Sequence, residues 1–187
     1  MNIGFGITGS FCTHDKALVA VKQLVDDGYN VIPIITDVVG KTNTRFGSSE
    51  KFLKELKQIT KNEIVASIVD AEPLGPKNMI DVLVVAPCTG NTLAKLANAI
   101  TDNAVTMTAK SLMRNNRPIV IGIASNDGLG LNLKNIATLM NSKNVYFVPF
   151  KQDDPTNKPK SLMVCWDKIK ETLKEAINKN QIQPVLG

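Results

Sequence analysis

The segment from Val84 to Asn98 has the residue types and spacing best suited to hold a small ligand. An apolar run leads directly into Thr89, Asn91 and Thr92, and an amphipathic helical pattern follows. At the carboxyl end of a parallel strand, the first N–H groups of the next helix are unpaired and its dipole favours anions. One Thr or Asn would cap such a helix, so three polar side chains exceed that need. We predict a ligand site in five consecutive residues: Cys88, Thr89, Gly90, Asn91 and Thr92.

A second turn of small, hydroxyl-bearing residues, Thr8-Gly9-Ser10, follows the first apolar run. Gly4, Gly6 and Gly9 match the dinucleotide pattern Gly-x-Gly-x-x-Gly literally. That pattern begins after its strand, whereas Gly4 and Gly6 fall inside the predicted strand. A turn with a single glycine suits one phosphate better than a pyrophosphate. FMN is therefore the predicted ligand, and an NAD(P)-dependent reductase is the alternative.

The elements that must position these turns alternate along the chain, as in βα units around a parallel sheet. Strands are predicted at residues 2–7, 31–36, 82–86, 119–124 and 145–148. Helices are predicted at residues 15–26, 50–59, 91–99, 104–114, 132–140 and 166–178. Residues 152–159, with two prolines and two aspartates, are expected to form a loop. We predict one domain over residues 1–187, a three-layer α/β fold with a Rossmann-like or flavodoxin-like doubly wound parallel sheet, in which residues 150–187 form a loop and a C-terminal helix.

Composition narrows the functional classes. The 187 residues, 43% of them hydrophobic, suffice for one core. The net charge of the chain is +5, but the basic residues are interspersed with acidic ones. Only 5% of the residues are aromatic, so we do not expect nucleic-acid binding. No apolar run is long enough to span a membrane, and residues 1–3 carry no signal-peptide pattern. Cys12, Cys88 and Cys165 lack metal-ligand spacing, which indicates reduced thiols, no metal site and a cytoplasmic protein.

Three stretches carry a family resemblance: GITGS at residues 6–10, APCTGNT at residues 86–92 and KLANAITDN at residues 95–103. In order and spacing they resemble the flavoprotein family of homo-oligomeric flavin-containing cysteine decarboxylases. Further stretches resemble one member of that family over nearly the whole chain: residues 42–47, 71–77, 114–118, 125–130 and 150–155.

The resemblance implies roles for several residues. Gly9 and Ser10 would meet the FMN phosphate, Thr36 would lie beside the flavin, and residues 89–92 would hold the flavin and its ribityl chain. It also implies a homo-oligomer, a second nucleotide-binding subunit that carries NADP, and a small dicarboxylate substrate. The implied reaction is oxidation of a dihydropyridine dicarboxylate to pyridine-2,6-dicarboxylate in a spore-forming bacterium.

The chain departs from the decarboxylases of this family at two positions. Those enzymes use a histidine shortly before the third strand, and residues 71–81 contain none. They also use a Pro-x-Met-Asn motif after the fourth strand, of which only Asn126 is retained. Loss of the proton-handling group makes cysteine decarboxylation an unfavoured alternative. Two roles stay open: a subunit that contributes flavin or catalytic groups, and a non-catalytic scaffold whose pocket positions the partner.

The remaining candidates are single residues. Arg45, after the second strand, could bind a substrate carboxylate through two hydrogen bonds, or it could be a surface arginine. Asn126 could bind flavin or substrate. His14, the only histidine, is expected to be a partly exposed residue at the start of the first helix, where the helix dipole disfavours its protonation. Cys88 is expected to pack against the ligand wall as a small residue. No catalytic residue is assigned.

Overall fold

The computed structural model of the protein describes residues 1–187. Its seven strands are β1 to β7: Asn2–Ile7, Asn30–Ile35, Val82–Cys88, Ile119–Ser125, Val145–Phe147, Phe150–Asp154 and Lys158–Val164. Its eight α-helices are α1 to α8: His14–Asp26, Asp37–Lys41, Ser49–Thr60, Ile68–Ala71, Gly90–Ala97, Ala104–Arg114, Leu133–Met140 and Ile169–Ile177. None of the helices combines the length and apolarity that crossing a bilayer requires.

Five parallel strands form the centre of the sheet in the order β2-β1-β3-β4-β5. The predicted three-layer α/β fold is thereby confirmed, with the flavodoxin-like order 2-1-3-4-5. The chain moves from β1 to β2 on one side and returns to β3 on the other side of β1. The carboxyl ends of β1 and β3 therefore border a crevice that no crossover covers, the usual ligand position in such sheets.

Both faces of the sheet are covered because its strands are apolar on both sides. In β3, Val82 and Val84 face one core cluster, whereas Leu83 and Val85 face the other. Helices α1, α3 and α8 cover the first face, and α6 and α7 cover the second. Gly4 lies inside β1, as predicted, and a Cβ there would approach the end of the Ile80 side chain to 2.8 Å.

The predicted loop at residues 152–159 is wrong. Strands β6 and β7 form an antiparallel hairpin, and β7 also pairs with the end of β4 through Ala124 with Met163 and Ser125 with Leu162. The sheet is therefore mixed, and the segment that follows residue 150 adds two strands before the predicted C-terminal helix, α8. The exposed residues of the hairpin near Pro155 and Pro159 carry no apolar alternation, which is why the sequence suggested a loop.

Candidate functional site

A cleft of about 430 Å³ lies at the carboxyl edge of β1, β2 and β3, at the predicted switch point. Its volume is within the usual range of small-molecule sites. The lining is mostly polar and comes from three turns and from the facing ends of α5 and α6: Thr8, Gly9, Thr36, Asp37, Val38, Thr89, Asn91, Thr92, Lys95, Asp102 and Asn103.

The Thr8 side chain links the turn that follows β1 to the turn that follows β3. Its hydroxyl donates to the Pro87 carbonyl over 2.7 Å and accepts the Thr89 N–H over 3.0 Å. Thr8 is 1% exposed, so these bonds are shielded from water. The ends of β1 and β3 are consequently held at a fixed spacing, which keeps the cleft preformed.

Backbone N–H groups supply the cleft edge with unused donors. The N–H groups of Gly9, Asp37, Val38, Gly90 and Asn91 donate to no acceptor within the protein. They belong to the turns that follow β1, β2 and β3. Free N–H groups at strand-to-helix turns bind phosphate and other oxygen-rich groups.

The Thr36 hydroxyl is a buried polar group without a partner. The residue is 7% exposed, and its Oγ1 atom makes no hydrogen bond. An unsatisfied buried hydroxyl costs about 1–3 kcal/mol, so proteins rarely retain one without a use. Because Thr36 lines the cleft, rotation of its side chain about χ1 would turn this enclosed hydroxyl towards a bound ligand.

The start of α5 is built to place its N-terminal residues at the cleft. The Thr89 hydroxyl accepts the Thr92 N–H as the helix cap. Behind it, a Cβ on Gly90 would lie 2.5 Å from Asn132 Nδ2 and 2.8 Å from Ser125 Oγ, so a larger residue would require these side chains or α5 to shift. Asp127 holds Asn132 in place by accepting its Nδ2 hydrogen over 3.2 Å.

The wall formed by α5 and α6 contains three residues that the sequence-based prediction missed. Lys95 and Asp102 form an ion pair of 2.5 Å, and Asn103 donates to Asp102 over 2.9 Å. The hydrogen bond from Lys95 holds the pKa of Asp102 below its ordinary value, and the bond from Asn103 adds to this effect. These residues lie in the family-like stretch at residues 95–103, which was the available signal.

Six of the predicted site residues line the cleft together: Thr8, Gly9, Thr36, Thr89, Asn91 and Thr92. Ser10 is adjacent in the chain, but its hydroxyl lies 4.0 Å from Cys12 Sγ. Cys88 and Gly90 are buried behind the surface of the cleft, and burial raises the pKa of the Cys88 thiol. Cys88 is thus a protonated, packed residue, as expected.

Two predicted substrate-binding residues lie outside the cleft. Arg45 is exposed, and its guanidinium lies 4.9 Å from the centre of the Phe46 ring. Asn126 is also exposed, and its Oδ1 accepts from the Ser161 hydroxyl over 3.5 Å. The structure does not bring either side chain together with Thr36.

The predicted exposure of His14 is wrong. The residue is 8% exposed because its imidazole stacks on Phe52 at a centroid distance of 4.5 Å and contacts Phe11 at 5.1 Å. Its Nε2 is 2.9 Å from the Thr8 carbonyl oxygen. Burial lowers the pKa of His14, and the hydrogen bond to Thr8 offsets part of that effect.

The cleft residues fit an FMN-sized ligand on three structural grounds. The volume is sufficient, unused N–H donors surround the turn at Gly9, and the Thr36 hydroxyl lacks a partner. A phosphate would occupy the N–H groups, and a planar ring system with polar edges would satisfy the hydroxyl.

Comparison with known proteins agrees with this fold. The chain is 48% identical over 184 residues to the B subunit of dipicolinate synthase of Bacillus subtilis (strain 168), covering 98% of this chain and 92% of that protein. It superposes with a TM-score of 0.92 on the crystal structure of the same synthase component from Bacillus halodurans C, at 48% identity, covering 100% of this chain and 95% of that one.

A more distant structure shares the fold. DmrB of Burkholderia xenovorans, solved in complex with FMN and described as a cubic protein cage for redox transfer, gives a TM-score of 0.71 at 16% identity, with 95% of each chain covered. The family match itself spans residues 1–179. The chain therefore belongs to the flavoprotein family.

Proposed function

We propose that this chain is the FMN-binding B subunit of a dipicolinate synthase. In this role it acts with the A subunit of the synthase, which carries NADP, to oxidise dihydrodipicolinate to pyridine-2,6-dicarboxylate during sporulation in the cytoplasm. The unpartnered Thr36 hydroxyl, at the end of β2 in the wall of the cleft, is the observation that carries the flavin assignment. The 48% identity to the Bacillus subtilis protein supports the reaction.

The residues of the cleft divide into binding roles. The N–H groups at Gly9 and after β2 would bind the phosphate, and the Ser10 hydroxyl of the same turn would supply a further donor. Thr36 and Asn91 hold the flavin edge and the ribityl chain. The buried Thr8 bonds keep the two turns at fixed spacing, so little ordering is needed when the ligand binds. When bound, a flavin supplies a two-electron acceptor.

The cleft has few side chains that could transfer a proton. Its ionisable side chains are Asp37, Lys95 and Asp102, and Lys95 and Asp102 are already paired with each other. His14 faces away and is engaged with the Thr8 carbonyl. This arrangement favours a second candidate function, in which the chain is a non-catalytic scaffold and the NADP-carrying partner performs the whole oxidation.

Reconstitution with the NADP-carrying partner separates the two candidates. Formation of pyridine-2,6-dicarboxylate is measured with the partner alone, with the FMN-loaded chain added, and with the flavin-free chain added. The proposal predicts that only the loaded chain raises turnover. Equal stimulation by the flavin-free chain would establish the scaffold, and full activity of the partner alone would remove both roles.

We also propose that the chain assembles into a homo-oligomer. Leu129, Leu131 and Leu133 precede or begin α7 and are 39%, 80% and 47% exposed, which leaves three large apolar side chains uncovered. The description of DmrB as a cage shows that this fold supports closed assemblies. Light scattering at micromolar concentration tests the assembly, and a stable monomer would contradict it.

A further inference from the structure

A second, smaller cavity of about 110 Å³ lies on the other side of the turn that leads into α1. It is enclosed by α1, by the segment at residues 42–48 and by the start of α3. Most of its lining residues are polar or charged, and three phenylalanines lie among them: Phe11, Phe46 and Phe52. No part of the proposed FMN site uses this cavity.

His14 is the buried polar group of this cavity. A carbonyl oxygen can only accept, so the 2.9 Å contact with the Thr8 oxygen requires that Nε2 carry the hydrogen. In the neutral ring Nδ1 is then an acceptor, and it has no partner in the protein. Two side-chain atoms are both enclosed by the protein and without a hydrogen-bond partner: Thr36 Oγ1 and Trp166 Nε1. His14 Nδ1 has no partner but is not one of these two, so it is not fully enclosed.

The neutral state of His14 has a physical cause. The imidazole lies between the Phe52 and Phe11 rings, and burial lowers its pKa. Asp15, whose charge acts in the opposite direction, is exposed at the mouth. The remaining charged groups of the cavity are Lys51 and Glu55, which are also exposed. The cavity therefore offers a neutral acceptor, not a cation.

Size and charge limit what can enter. An apolar protein cavity of about 150 Å³ binds one benzene ring, so this cavity of about 110 Å³, which is open on one side, holds one ring at most, and the rest of such a ligand extends into the opening. A three-ring flavin is excluded. The mouth has two carboxylates, Asp15 and Glu55, against one lysine, Lys51, which disfavours a dicarboxylate. The ligand is thus neither the flavin nor the substrate of the proposed reaction.

We propose that this cavity binds one neutral six-membered aromatic ring bearing an N–H donor, with the ring packed among the phenylalanines and the N–H bonded to His14 Nδ1. The aromatic walls supply stacking surface, and the unpartnered nitrogen selects for the donor. This site is independent of flavin binding.

Nicotinamide is the probe, because it is a single neutral ring with an amide N–H. Since His14 is the only histidine, its ring resonances report binding directly by NMR. Nicotinamide is expected to shift them saturably, whereas nicotinate, with a carboxylate in place of the amide, and pyridine, without a donor, bind about tenfold more weakly. Equal binding of the three compounds, or no shift with nicotinamide, would overturn the proposal.

Two variants locate the site. His14→Phe keeps the aromatic ring and removes the acceptor, and nicotinamide affinity by calorimetry should fall about tenfold. Should that variant not fold, Phe46→Ala serves, because Phe46 is 53% exposed and is not needed for the core. It should weaken nicotinamide binding, whereas the control Val69→Ala, at an 80% exposed residue of α4, should not. Unchanged nicotinamide affinity in His14→Phe, or in Phe46→Ala if His14→Phe does not fold, would contradict the proposal.

Discussion

The cleft at the sheet edge and the cavity beside His14 share the turn that follows β1, yet they are built in different ways. The cleft has a volume of about 430 Å³, and unused backbone N–H groups and the Thr36 hydroxyl surround it. The cavity of about 110 Å³ is lined by side chains from α1, α3 and the segment between β2 and α3, among them the rings of His14, Phe46 and Phe52. Topology creates the first, whereas side-chain packing creates the second. Substitutions should therefore affect the two sites separately.

The largest effect is expected from Gly90→Ala. The added Cβ would overlap Asn132 Nδ2 at 2.5 Å and push α5 away from its support. We expect a loss of about 1–3 kcal/mol in the free energy of unfolding, together with about tenfold weaker FMN binding. Denaturant unfolding and flavin fluorescence measure these quantities.

The control for this prediction is Gly40→Ala. There the added Cβ would meet only the end of the Ile35 side chain, at 3.2 Å, and a smaller loss is expected. Nicotinamide binding by the small cavity should be unchanged in Gly90→Ala. An equal loss in both glycine variants would show that Asn132 does not position α5.

Thr36→Val should change the stability of the protein and its FMN affinity in opposite directions. Removing a buried hydroxyl that has no partner is expected to raise the free energy of unfolding of the flavin-free protein by up to about 1 kcal/mol. FMN affinity should fall about tenfold, because the ligand loses the partner that the cleft offers. Thermal unfolding and FMN titration measure the two effects.

Thr108→Val is the matched control, since the Thr108 hydroxyl is also buried but donates to the Ala104 carbonyl over 2.8 Å. This variant should lose stability and keep its FMN affinity. Retained FMN affinity in Thr36→Val would contradict the role given to Thr36.

His14 should make stability depend on pH near neutrality. Its folded pKa lies below the ordinary value of 6.5, so the unfolded chain takes up the proton first as pH falls. The contribution of neutral His14 to the free energy of unfolding is fully present above pH 6.5 and is lost as the pH falls below that value. The slope is at most about 1.4 kcal/mol per pH unit.

Denaturant unfolding at a series of pH values from 7.5 downward, compared between wild type and His14→Gln, measures this contribution. Because the chain has no other histidine, the difference between the two profiles isolates His14. Parallel profiles would show that the residue is not buried in its neutral form.

The smallest effect is expected from Arg45→Ala. The side chain is exposed and lies over the neighbouring Phe46 ring, so stability should change by less than about 0.5 kcal/mol. FMN affinity should not change, because Arg45 lies outside the cleft. A lowered substrate affinity in the assay with the proposed A subunit would show that this partner brings Arg45 to the substrate.

The same contrast explains what could be predicted from the sequence. Apolar runs locate the strands, and parallel strands bring their carboxyl ends to one edge, so Thr8, Thr36 and Thr89 could be placed together without coordinates. His14 could not, because its burial depends on Phe52, which comes from a distant helix. The β6–β7 hairpin was missed for a similar reason. Its pairing with Ala124 and Ser125 stabilises strands whose own sequence is polar and contains proline.

The central claim is that the cleft binds FMN, and a titration of the purified flavin-free chain tests it most directly. FMN, riboflavin, NAD and NADP are compared by fluorescence at one ionic strength. FMN should bind most tightly, riboflavin should bind more weakly because it lacks the phosphate, and the dinucleotides should bind least. NAD binding as tight as that of FMN, or no FMN binding at high concentration, would contradict the account.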